Sequence, residues 1–327
     1  MIATLSVLII SFAFTYLSLP WFIPRLHRAG ISGRDMNKEG EVKVAEMGGL
    51  SIIGGLLVGV LWAIGLNTFD LAPLQIDHTL VVAALATVLI TAIIGIIDDL
   101  LLLSQKVKAV LPFFAALPLV AVKAGVTSME LPLIGEVDFG ILYPLVLIPI
   151  AITGAANATN MLAGFNGIEA GLGVIMCATV SVIALAFGRM DAAIVSLAML
   201  GALLAFLRYN WYPAKILIGD VGTLSIGAVV ASSVIIGNIE QAGAILIIPF
   251  FGELILKARG RFAAQSWCKI KGGKLICPKK EEVYGLGRLV MHLCGGVSES
   301  GLVLSIMLIE CLFAAAALYS YFGIPLS

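Results

Sequence analysis

Three groups of oxygen-bearing side chains stand out because each falls at the end of an apolar run. Asp98-Asp99 closes one run. Asn157, Asn160, Gly164, Asn166 and Glu169 fill the break between two others, and Gly219-Asp220-Val221-Gly222 opens a further one. Carboxylates and carboxamides beside a hydrocarbon layer are costly and mark functional sites by default. Asp and Asn oxygens without a neighbouring His or Cys suit a hard cation that keeps positions open for phosphate oxygens, which is Mg²⁺ or Mn²⁺. Basic residues at Arg34, Lys38 and Lys108 could neutralise further phosphate charge. The chemistry that needs such a set is phosphoryl-group transfer between a soluble nucleotide and a lipid.

Each group also has an ordinary reading. Asp98-Asp99 could be a plain charged helix end, but it is the C-terminal end, where the macrodipole disfavours anions by several tenths of a kcal/mol. The two charges also repel unless a cation is near, and Lys106 and Lys108 follow in a short loop. Asp220 is well suited to N-cap the next span, and the flanking glycines would admit a phosphate closely. The stretch 157–169 could be a polar turn. It holds more Asn, Gly and Glu than a turn needs. Asn157 and Asn160, three apart, would share one helical face.

The elements that must position these residues are membrane spans. Of 327 residues, 60% are apolar and 12% charged, and the mean hydropathy is +1.08, far outside the soluble range. The expectation is an all-α polytopic membrane protein of ten spans, at about 2–20, 48–66, 79–97, 108–124, 141–157, 169–187, 192–207, 221–237, 242–257 and 301–322. Segments 192–207 and 242–257 are short for a full crossing. The chain reads as one integral membrane unit over 1–327, with 258–300 its longest connection and no soluble domain.

Of the 20 lysines and arginines, only Lys123 and Arg189 fall outside one alternating set of connections and adjoining span ends. The positive-inside rule makes that side cytoplasmic and places both termini outside. The first run lacks a cleavage site and is followed by Arg25 and Arg28, so it reads as a span rather than a signal peptide. Five cysteines give no disulfide framework. A zinc site from Cys268, Cys277, His292 and Cys294 matches no familiar ligand spacing. Alternation around Gly272-Gly273 predicts a two-residue hairpin, and Leu131–Gly135 a second small one.

At these residues the chain resembles the polyprenyl-phosphate N-acetylhexosamine-1-phosphate transferases. The run Asn157-Ala-Thr-Asn-Met-Leu-Ala-Gly-Phe-Asn-Gly-Ile-Glu-Ala-Gly171 is similar to the eukaryotic and archaeal dolichyl-phosphate branch nearly residue by residue. Arg34-Asp-Met-Asn-Lys38, Glu46 with Gly48-Gly49, Asp98-Asp99 with Lys108 and Pro112, and Gly219-Asp220 fall in that family's order. The resemblance weakens after about residue 258. It implies ten spans, external termini and a Mg²⁺-dependent cytoplasmic site in the membrane of a prokaryote of archaeal type. By that resemblance Asn160 and Asp220 hold the metal, Gly164 and Asn166 hold uracil, and Glu46 helps bind the nucleoside. Lys108 and Asp98-Asp99 meet the lipid phosphate and the pyrophosphate.

The implied reaction transfers a sugar-1-phosphate, GlcNAc-1-phosphate above all, from a UDP-sugar to a polyprenyl or dolichyl phosphate, as a first membrane step of glycan assembly. Whether Asp98 or Asp99 acts as a base or orients the phosphate or Lys108 stays open. In the last loop Arg288 and His292 are the candidates for sugar recognition. A MraY-type phospho-MurNAc-pentapeptide transferase would carry a histidine-rich stretch there, where this chain has only His292. A lipid or nucleotide-sugar transporter is the alternative from another class, and a CDP-alcohol phosphatidyltransferase lacks its motif. No feature points to nucleic acid. A homodimer is compatible with the sequence.

Overall fold

The computed structural model describes residues 2–72, 74–131, 135–262, 269–277, 279 and 282–323. Long apolar helices dominate: α1 (Ile2–Arg28), α2 (Gly49–Thr68), α3 (His78–Leu101), α7 (Ile148–Met161, preceded by a π-helical turn at Tyr143–Leu147), α8 (Ile168–Ala186), α9 (Met190–Asn210), α10 (Gly219–Gly237) and α14 (Glu299–Phe322). Among the described residues eight helices are long and apolar enough to cross a membrane. A bent pair, α11 (Glu240–Leu246) and α12 (Ile248–Arg259), would make a ninth. The expected ten segments are therefore nearly all present.

Segment 192–207, short in the sequence reading, lies inside the longer α9. Segment 242–257 is the bent pair, broken by 45° just before Pro249. The fourth segment, 108–124, differs most. It is three short helices, α4 (Gln105–Val110), α5 (Pro112–Ala115) and α6 (Leu117–Ala121). Pro112 and Pro118 each open a new piece, because neither has an N–H to continue the ladder before it. A further short helix, α13 (Leu286–Leu293), precedes α14.

Three small hairpins decorate the ends. β1 (Ser32–Arg34) pairs with β2 (Lys43–Ala45), which the sequence reading did not include. β3 (Ser128–Leu131) pairs with β4 (Gly135–Asp138), so the expected second hairpin exists, although residues 132–134 of its turn lie outside the described residues. β5 (Lys269–Lys271) and β6 (Lys274–Ile276) meet at the two-residue turn Gly272-Gly273, as the alternation requires. Both turn glycines have positive φ, 58° and 71°, the geometry of a type I′ turn.

The centre of the bundle is α10. Every residue from Val221 to Gly237 is buried, and α2, α3, α7, α8 and α9 all pack on it. Lipid tails are as apolar as leucine, so close backbone approach rather than water exclusion must hold such a helix in place. Two glycines permit that approach. A Cβ on Gly95 of α3 would lie 2.5 Å from the Val221 Cα, and one on Gly227 would lie 2.2 Å from the Ala155 carbonyl oxygen of α7.

A substitution at Gly227 should therefore push α7 from α10. Gly227→Val is expected to cost on the order of 1–3 kcal/mol or more by overpacking, read as a lower melting temperature in detergent. Gly65→Ala on α2, where a Cβ meets nothing within 4 Å, should leave the melting temperature unchanged or raise it. Equal effects at both positions would contradict this packing.

Candidate active site

The polar residues converge at one end of the bundle, where α3 ends and α10 begins. Asp98 and Asp99 close α3, and each has a different task. Asp98 is buried; its Oδ1 accepts from the Leu103 amide at 2.9 Å and its Oδ2 lies 2.5 Å from the Lys108 ammonium. The same ammonium bonds Asp220 Oδ2. Lys108 thus bridges two carboxylates on separate helices, which answers the repulsion that the sequence reading required a cation to offset.

Asp99 faces the N-terminus of α10. Its Oδ1 accepts from the Asp220 amide at 2.7 Å and its Oδ2 from the Val221 amide at 3.1 Å. These amides have no partner within the helix, so Asp99 caps α10 from another helix. The expectation that Asp220 caps this helix needs correcting. Asp220 sits at its second residue, and its N-cap position is Ile218, with no side-chain cap bond. With the cap supplied by Asp99, the Asp220 carboxylate faces the cluster.

Asn160 completes the group. Its Nδ2 donates to Asp220 Oδ1 at 2.7 Å and to Thr223 Oγ1 at 3.0 Å. Asn157, expected on the same face, turns instead to α4, donating to the Ala109 carbonyl at 3.1 Å and to Thr153 of its own helix. Glu46 stands just after β2, and burial with the negative Asp220 nearby raises its pKa above the ordinary glutamate value. The end of α10 thus gathers Glu46, Asp98, Asp99 and Asp220 around one lysine.

Among the described residues no group of three or more His, Cys, Asp or Glu side chains converges as a metal cage. The donors here are instead a carboxylate, a carboxamide and a hydroxyl, from Asp220, Asn160 and Thr223. With the Asn160 amide turned so that its oxygen rather than its Nδ2 faces Asp220 and Thr223, that set fits Mg²⁺ or Mn²⁺, and an ammonium already rests against the same carboxylate. The zinc expectation gains nothing: Cys268 lies outside the described residues, Cys277 is buried with its sulfur 3.8 Å from two carbonyls, and Cys294 is exposed.

A second cluster ties three connections together. Lys38 lies 3.0 Å from Asp35, 2.5 Å from Glu299, 3.1 Å from Asn166 Oδ1 and over the Tyr212 ring. Asn166 donates its backbone N–H to Glu299 at 2.7 Å and its Nδ2 to Asp35 at 3.1 Å, while its Oδ1 also accepts from the Ala214 amide. Asn37 donates to the Gly164 carbonyl at 2.6 Å. Lys38, expected as a phosphate counterion, already has its charge matched.

Glu299 was not singled out from sequence, and Asp35 and Asn37 stood within the quoted run Arg34–Lys38 without a role of their own. Glu299 carried a usable signal, since it opens a span as Asp98 closes one. Arg34 is exposed on β1, and no contact among the described residues ties it to either cluster. Arg288 on α13 lines a small cavity with Phe165, Glu253 and Tyr284, beside the Gly164–Asn166 loop. His292 approaches the Cys277 carbonyl at 3.3 Å and so links α13 to the β5–β6 hairpin.

An apolar cavity of about 570 Å³ runs along α7 between α10 and the bent pair α11–α12. Leu147, Ala151, Val230, Ile247 and Phe251 are among its walls. One end reaches Asn157 and Met161, the other Tyr143 and Glu240, which hydrogen-bond each other. Asn157 also bonds the residue after Lys108, so the wall of the cavity adjoins α4.

An acidic cluster at one end of a bundle of apolar spans, with an apolar cavity along α7, fits a membrane-embedded group-transfer enzyme. Residues 81–238 match the model of glycosyl transferase family 4, and the chain belongs to that family. It is 37% identical over 312 residues to a Sulfolobus acidocaldarius protein named as a UDP-N-acetylglucosamine–dolichyl-phosphate N-acetylglucosaminephosphotransferase, covering 94% of this chain and 93% of that one. A Saccharolobus solfataricus protein of the same name is 34% identical, with 97% and 96% covered. A phospho-N-acetylmuramoyl-pentapeptide-transferase of Halalkalibacterium halodurans is 29% identical, with 95% of each chain covered.

The capping role of Asp99 separates it from Asp220. Asp99→Ala should leave two amides at the start of a buried helix unpaired, at about 1–3 kcal/mol, and lower the melting temperature together with activity. Asp220→Ala should lower activity while the melting temperature holds. A thermally silent Asp99→Ala would show that the cap is dispensable.

Proposed function

We propose that the chain transfers GlcNAc-1-phosphate from UDP-GlcNAc to a polyprenyl or dolichyl phosphate, leaving a diphosphate-linked sugar on the lipid and releasing UMP. The observation that carries this reading is the lysine bridge within the acidic cluster at the start of α10, with an apolar cavity along the neighbouring α7. A lipid lying along α7 would reach Asn157, one helical turn from Asn160 and bonded to the residue after Lys108. The names of the two archaeal relatives support the same substrates. The basic connections at this end of the bundle support a cytoplasmic active site.

In the reaction a lipid phosphate oxygen attacks the sugar-linked phosphorus, and the bond from that phosphorus to the UMP oxygen breaks. A phosphomonoester loses its second proton near pH 6, so the nucleophile is largely ionised at neutral pH without a strong base. The geometry favours positioning roles for both aspartates. Asp98 aims Lys108 and Asp99 aims the start of α10. Asn160 and Asp220, with Thr223 beside them, would hold Mg²⁺, which when bound supplies positive charge to the phosphate oxygens. Lys108 contributes a point charge that can pass from the carboxylates to the incoming phosphate.

A transporter would place its binding groups near the midplane on broken helices. Here the charged groups of the site lie at helix ends, and the bent pair α11–α12 lines the apolar cavity. The single histidine of the last loop, engaged with a carbonyl, supports a GlcNAc rather than a muramoyl-pentapeptide donor. Arg288 beside the Gly164–Asn166 loop is the better placed candidate for the sugar.

Purified protein given radiolabelled UDP-GlcNAc, polyprenyl phosphate and Mg²⁺ should move label into the organic phase and release UMP. Binding of UDP-GlcNAc without lipid-extractable label would favour a transporter. Asp220→Ala should abolish transfer at every Mg²⁺ concentration, and near-normal turnover in that variant would remove the metal assignment. Lys108→Ala should raise KM for the lipid phosphate and lower kcat. The exposed Lys106, changed likewise, should have little effect. Equal, small effects for the two lysines would make Lys108 a membrane anchor only.

A further inference from the structure

Glu253 and Lys257 sit one turn apart on α12 and belong to neither polar cluster. Glu253 is 3% exposed. Its Oε2 accepts the N–H of Leu286, the first residue of α13, at 2.6 Å, and its Oε1 lies 3.4 Å from the Lys257 ammonium. That ammonium donates in turn to the carbonyl of Met161, the last residue of α7. Carbonyls in the last turn of a helix have no partner within it and form the negative end of its dipole. To this point the contact is an ordinary cap.

The turn that it caps bears the site. Asn160, next to Met161, reaches Asp220 and Thr223 of α10. Thr159 of the same turn donates to the Thr223 carbonyl at 2.7 Å. Helix α10 therefore holds this turn through Thr159, and α12 holds it through Met161. Leu162, with a ψ of 65°, leaves the helix, so the turn has no helix beyond it for support. Met161 also lines the apolar cavity, as do Phe251 and Leu254 on α12.

We infer that Lys257 is a positioning residue for the phosphoryl transfer: by gripping the Met161 carbonyl it fixes the last turn of α7 and so the reach of Asn160 to Asp220. Glu253 aims the ammonium and ties it to α13. This rests on the transferase reading above and deepens it. The cavity wall and the candidate metal ligand then move as one piece, because Met161 is part of the first and adjoins the second.

Lys257→Met should lower kcat for label transfer from UDP-GlcNAc about 10- to 100-fold, the scale on which a misplaced group slows an oriented reaction. The KM for UDP-GlcNAc should stay within about twofold, because Gly164 and Asn166 are held separately, by Asn37 and Glu299. Mn²⁺ binding with UDP present and lipid absent, read from the free-ion EPR signal, should weaken along with kcat. Lys257→Arg, which keeps a donor within reach of the carbonyl, should retain most of both. Because Lys257→Met strands Glu253 without its cation, Glu253→Gln combined with it checks the folding. The amide oxygen can still accept from Leu286, and the loss of kcat should persist.

A lysine that only caps α7 would lower the melting temperature and leave kcat per folded molecule and Mn²⁺ affinity unchanged, and that result would overturn the inference. So would equal loss in Lys257→Arg and Lys257→Met, or recovery of kcat in the double variant, which would blame the stranded carboxylate. A parallel rise in KM for UDP-GlcNAc would move the effect of Lys257 to the Gly164–Asn166 loop and sink its link to Asn160. Transfer of label by an unaltered enzyme that binds no Mn²⁺ would leave Asn160 no metal to hold and take this inference with it. An unaltered enzyme that transfers no label would instead bring down the transferase reading itself.

Discussion

The ammonium of Lys108 lies between Asp98 and Asp220, and the arrangement of the whole polar end depends on it. Four carboxylates cannot share the rim of a membrane protein unless their charge is met, because each loses hydration there. A single lysine meets two of them directly. Helix N-terminal amides meet a third, Asp99, since the unpaired N–H groups of α10 carry the positive end of its dipole. What remains is a small excess of negative charge in oxygen donors, which a divalent cation would offset. The same contacts fix α3, α4 and α10 relative to one another, so the site and the bundle share one set of restraints.

That coupling explains why α10 is packed as it is. A helix whose first turn carries site residues must be held in depth and rotation. In a bilayer the means available are close backbone contact and hydrogen bonds between helices. Gly95 and Gly227 supply the first. Thr159 of α7 supplies the second, by donating to the Thr223 carbonyl at 2.7 Å. These links fall at Val221, Thr223 and Gly227, all just after Asp220 along α10, and they are made by small residues that leave no slack.

Much of this was legible in the amino-acid sequence. Apolar runs marked the spans, Gly272-Gly273 marked a hairpin, and costly polar residues at span ends marked Asp98, Asp99, Asn160 and Asp220. Those signals are local and depend on composition alone. The division of labour between Asp98 and Asp99 was not legible, because adjacent residues of one type differ only in what faces them across space. Glu299 and Asp35 were missed for a related reason. Glu299 bonds Lys38 across 261 residues and Asp35 bonds Asn166 across 131, and no pattern within one segment of either pair announces the other. The broken fourth segment was missed although Pro112 and Pro118 are plain in the sequence, since prolines are also accommodated within spans such as α1.

That broken segment bears on how the lysine is mounted. Lys108 belongs to a helix of six residues, joined at Leu111 to another of four. Pro112 has no N–H to give to Lys108, so the joint lacks the bond that would make the two pieces one rod. A charge carried on a full span could shift only by dragging some 20 residues through lipid. A charge carried on a short jointed arm can pivot through a few ångströms while every long helix stays where it is. The bundle thereby separates a fixed part, the carboxylate rim, from a part mounted to move, the short lysine arm.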